Sequence, residues 1–85
     1  MTQTTALADA ERAQREAKRA TEAAARRLRE ARSNAEREYR RNRFAMASDR
    51  AERAADQAAA AFNAAIAAEQ MTATRVWEAL NPELA

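Results

Sequence analysis

Residues 36–44, EREYRRNRF, decide the fold of this chain. If they remain helical, everything from the first turn to the lone proline is one rod. If they turn, the two halves lie side by side. Asn42 is the only residue among them that readily takes a left-handed conformation, and helical hairpins ordinarily turn on Gly or Pro. The leading expectation is therefore all-α, with one long helix, straight or kinked, that forms a coiled coil or bundle with copies or partners. Thr4 or Thr5 would cap it, so it should start near residue 5, with Asp9 and Glu11 in its first turns where the helix dipole favours acids. Asn81-Pro82 should end it, because proline disfavours a helical conformation in the residue before it. Such a rod would measure about 110 Å at 1.5 Å per residue.

The alternative is an antiparallel hairpin turning near residues 37–43. Two alanine series at heptad spacing support it: Ala10, Ala17, Ala24 and Ala31, then Ala47, Ala54, Ala61 and Ala68. Paired from opposite ends, their numbers add to 78 each time. A reversal centred on Tyr39 would thus bring all four pairs level in an alanine seam. Ser33, three residues before Glu36, and Ser48-Asp49 before Glu52 are further places where a helix could restart.

Composition explains why only helical arrangements compete. Alanine accounts for 27 of the 85 residues, glycine is absent, and only 13 larger apolar or aromatic side chains are present. Alanine has the highest helix propensity, and the remainder is rich in Arg, Glu and Gln. Glu11/Arg15, Glu22/Arg26, Glu36/Arg40 and Asp49/Arg53 are spaced as acid-first pairs four apart, each adding about 0.2–0.5 kcal/mol to a solvated helix.

Charge and bulk are unevenly spread. Residues 12–53 hold 14 basic against seven acidic groups, whereas residues 54–85 hold one basic against four acidic groups. Most large apolar residues follow position 38. Four segments result: a tail over 1–4, a basic helical shaft over 5–53, an alanine-rich helix with a Phe/Ile stripe over 54–71, and a Trp-containing docking segment over 72–85.

Leu7, Gln14, Thr21, Leu28 and Ala35, with Ala10, Ala17, Ala24 and Ala31, form a heptad seam in the first part. It is a weak one, since alanine buries little area. Further along, Phe62, Ile66, Ala73, Val76, Leu80 and Leu84 form a denser stripe offset by three positions, which predicts two separate partner surfaces. The candidate partner-binding residues are Phe62, Ile66, Val76, Trp77, Leu80 and Leu84. Trp77 is the only tryptophan, in a residue type enriched among interface hot spots. Thr72 and Thr74, both β-branched, stand where this end would pivot.

A second candidate surface is the arginine stripe Arg26, Arg27, Arg29, Arg32, Arg37, Arg40, Arg41 and Arg43, opposed only by Glu30, Glu36 and Glu38 over residues 26–43. Guanidinium groups grip phosphate in a two-pronged geometry, so the stripe suits nucleic acid or an acidic protein surface. It equally suits a solvated helix face.

Catalytic chemistry finds no foothold. The chain has no Cys and no His, so no thiolate, imidazole base or His/Cys metal site, and Ser33 and Ser48 have no histidine to activate them. No cofactor and no metal are expected. The longest weakly polar run, 58–68, is about half the roughly 20 residues needed to span a bilayer. The expectation is a non-enzymatic structural or interaction protein, a helical component of a larger assembly such as a virion or scaffold. It would form a homo-oligomer, in the cytoplasm or inside the assembly. A nucleic-acid-associated basic protein and a regulator that sequesters a target through its C-terminal tail are the alternatives.

Overall fold

The computed structural model describes residues 2–41 and 46–84, with side chains over 5–41 and 49–84. The fold is all-α. Helix α1 runs over Thr2–Arg41 and α2 over Met46–Leu80. The two pack antiparallel along their length as a hairpin of 61 × 17 × 12 Å, with no strand among the described residues. The chain thus takes the hairpin rather than the single rod of about 110 Å.

The reversal falls between Arg41 and Met46, a few residues beyond a turn centred on Tyr39, which is still within α1. Asn42, Arg43 and Phe44 lie outside the described residues. At the other ends, α1 already includes Thr2, ahead of the start expected near residue 5. Ser33 interrupts nothing, and residues 54–80 are one unbroken stretch of α2.

The register follows from a hydrogen bond across the seam. Thr21 Oγ1 donates to Ala65 O at 3.2 Å, besides its bond to Ala17 O one turn back at 3.0 Å. Positions 21 and 65 add to 86, and the same rule faces Leu7 with Ala79, Ala10 with Val76, Gln14 with Thr72 and Ala17 with Glu69. It continues with Ala24 and Phe62, Leu28 and Ala58, Ala31 and Ala55, Ala35 and Ala51. Every one of these residues is buried or half-buried, and Ala24, Leu28 and Ala51 are the most enclosed.

This register corrects the alanine seam expected from numbers adding to 78. Ala54, Ala61 and Ala68 all face solvent, while Ala10, Ala17, Ala24 and Ala31 keep their places on the seam with new partners. Volume is the reason. The 78 register would level the four alanine pairs but set Leu28 against Arg50 and Phe62 against Glu16, whereas the observed one sets Leu7, Leu28, Phe62 and Val76 each against an alanine. Burying a Leu, Phe or Val side chain is worth about 1.5–3 kcal/mol, well above an alanine methyl.

Surface ion pairs contribute little. Glu36 and Arg40 close at 2.9 Å as spaced, and Asp9 and Arg12 approach to 3.8 Å. Arg53 instead donates through Nε to the backbone carbonyl of Asp49 at 3.5 Å. The C-terminus of α2 is capped by Asn81, whose backbone N and side-chain Nδ2 both donate to Trp77 O, at 2.9 and 3.0 Å. Leu84 N then donates to Asn81 O at 3.0 Å, closing the turn around Pro82. Replacing Asn81 with Ala should leave the hairpin folded but release the last turn, at a cost of about 1 kcal/mol or less. Amide exchange would then quicken at Leu80 and Asn81 and nowhere near Leu28.

Candidate interaction surface

The hairpin divides the six candidate partner-binding residues between two faces. Phe62, Ile66 and Val76 are half-buried: Phe62 and Val76 lie in the seam against α1, and Ile66 lies one position over at its edge. Trp77, Leu80 and Leu84 are exposed to 49%, 59% and 72%. The single stripe read from residues 62–84 is therefore two columns. One is spent inside the chain and the other faces outward at the open end of the hairpin.

Local structure holds that outward column in place. The Trp77 carbonyl accepts both Asn81 donors, so the last turn of α2 is capped, and Trp77 and Leu80 are presented from within the helix. At Thr72 and Thr74 the helix is unbroken: their hydroxyls donate to Glu69 O at 2.7 Å and Gln70 O at 3.1 Å while α2 continues past them.

Sequence reading missed the outward column as a feature in itself. Beside the seam, Ala59, Asn63, Ile66, Gln70, Ala73, Trp77 and Leu80 follow one another at alternating intervals of four and three residues, and none carries a charge. This is a second seam on α2, displaced by one position from the first. Its signal was present in the spacing but hidden by alanine, which satisfies almost any period. On the same side of the hairpin, Gln14, Arg15 and Lys18 of α1 and Glu69, Gln70 and Ala73 of α2 border an open groove. Tyr39, 53% exposed, belongs to the corresponding flank of α1 near the turn.

The arginines are spread over the outer faces of α1: Arg15, Arg29 and Arg32 share the Tyr39 flank, and the others lie further round. Arg26, Arg27, Arg29, Arg32, Arg37, Arg40 and Arg41 are all exposed, and Arg43 lies outside the described residues. Arg12, Arg19, Arg26 and Arg40 fall on one row opposite the seam, at intervals of seven residues or a multiple, about 10.5 Å per interval. Arg40 is held by Glu36. The basic row and the uncharged seam thus occupy different helices.

Among the described residues no group of three or more His, Cys, Asp or Glu side chains could hold a metal ion. No helix there is long and apolar enough to cross a membrane. No family model, curated protein or solved structure matches the chain.

Proposed function

We propose that this chain is a non-enzymatic structural or interaction protein, a small helical component of a larger assembly such as a virion or scaffold. It associates through the exposed apolar end of α2. The observation that carries this reading is surface. The hairpin exposes 6687 Å², whereas a compact protein of 9.4 kDa exposes about 5,000 Å². The difference of about 1,700 Å² exceeds the roughly 800 Å² that each partner contributes to a standard protein interface. Met71, Trp77, Leu80 and Leu84 stand exposed within or just beyond the last third of α2. Two helices alone have no further layer with which to cover them.

The test is the mass and shape of the purified chain, by light scattering with small-angle X-ray scattering at low and high salt. A defined oligomer supports assembly by self-association. A single hairpin at every concentration overturns that part of the reading.

The exposed arginine row supports a second reading, contact with nucleic-acid phosphates. Each phosphate neutralised contributes a slope of about −0.9 to the dependence of log affinity on log salt for duplex DNA. If Arg12, Arg19, Arg26 and Arg40 each meet a phosphate, the slope for DNA should be near −3.6, on the basis of those four contacts. Titration of a labelled duplex at several salt concentrations checks it, and binding indifferent to salt rules it out.

A further inference from the structure

The outward seam of α2 also carries information about what covers it. Folded back on itself in antiparallel sense about Gln70, the row matches large residues to small ones. Taken in row order, and within about 1.5 Å of level, Leu80 meets Ala59, Trp77 meets Asn63, Ile66 meets Ala73, and Gln70 meets Gln70. A two-fold contact has this property by necessity, since the same patch must complement itself. We propose that a second copy of the chain packs antiparallel against residues 59–80 of α2, with the two-fold axis passing beside Gln70. This deepens the assembly reading above and rests on it.

Chemistry along the strip fits this occupant. The contact would run for about 32 Å, and none of the seven row residues of α2 carries a charge. Ala59 and Ala73 permit close approach of the helix axes, and the Trp77 indole N–H would find the Asn63 side-chain carbonyl opposite it as an acceptor. Two Gln70 amides at the axis can each donate to the other. Arg15, Lys18 and Glu69, which border the same groove level with Gln70, would form a charged rim beside the axis, with the acid set between the two bases. The other flank of α2 is less suited: its only large apolar residue is Met71, and the row of Ala54, Gln57, Ala61, Ala64, Ala68 and Met71 runs on into Arg75 and Glu78. Pairing that flank would bring the guanidinium and the carboxylate into the contact.

Because the chain contains no cysteine, one introduced thiol reports the face unambiguously. Gln70→Cys sets one thiol from each copy beside the axis, and a disulfide between them would require the two Cα atoms to approach to about 4.4–6.8 Å. Ala64→Cys places a thiol on the opposite flank. Both positions are exposed, so neither change disturbs the seam. Under mild oxidation Gln70→Cys should run as a covalent dimer on a non-reducing gel while Ala64→Cys stays a single chain. Ala73→Arg, which drives a charge against Ile66 of the second copy, should weaken association at least tenfold with an unchanged helical signal. An oligomer in which Ala64→Cys cross-links and Gln70→Cys does not overturns this face while leaving the assembly reading intact. A chain that scatters as a monomer throughout overturns the two-fold contact and self-association together.

Discussion

Replacing Leu28 with alanine should unfold the hairpin at ambient temperature or bring it close to unfolding. Leu28 is 7% exposed and faces Ala58, so α2 offers no neighbouring bulk that could move in to fill the space. Leucine-to-alanine changes at enclosed sites cost about 2–5 kcal/mol, the larger values where the surroundings cannot collapse. Among the described residues only Ala24, Leu28 and Ala51 are buried, so Leu28 is the one large side chain fully committed to the seam. Thermal melting followed by circular dichroism gives the measurement. Leu84→Ala is the control, because that residue is 72% exposed and its loss should shift stability by no more than about 0.5 kcal/mol. Equal melting curves for the two variants would show that the seam does not hold the hairpin together.

Trp77→Ala should have the opposite profile, a fold left intact and an assembly lost. Trp77 is about half exposed, and its backbone carbonyl would still accept the Asn81 donors, so the last turn of α2 stays capped. Truncating a tryptophan that is buried on association commonly removes about 2 kcal/mol or more of binding. That corresponds to roughly 30-fold weaker association, since each 1.4 kcal/mol is tenfold. Sedimentation or light scattering across a concentration series would read the shift. Trp77 is also the only tryptophan, so fluorescence of the parent chain should move to shorter wavelength as concentration rises and the indole leaves water. Association unchanged in the variant would remove Trp77 as the anchor.

These two variants separate what the residue pattern already shows from what packing adds. The first seam is legible directly: Leu7, Gln14, Thr21, Leu28 and Ala35, with the four alanines between them, are all buried or half-buried in the hairpin. Heptad spacing places residues on one side of a helix whatever the partner, and here the partner is the chain's own second helix. The arginines could be placed outside on the same grounds, since they fall between seam positions. Which of the candidate partner-binding residues face outward was only half legible. Phe62, Ile66 and Val76 look identical in spacing to Leu80 and Leu84, and the pattern does not say which of two adjacent columns is used internally.

Helicity, the stop at Asn81-Pro82 and the seam-facing side of α1 come from local chemistry: alanine's propensity, proline's restriction of the residue before it and the 3.5-residue period. The reversal after Arg41 and the pairing of residues whose numbers add to 86 come from packing. In a chain with 27 alanines, several registers satisfy the same period equally well, so spacing does not choose among them. Volume does. Only when the helices lie together do Leu7, Leu28, Phe62 and Val76 each find an alanine opposite, and that matching selects one register and leaves Trp77 and Leu80 facing outward.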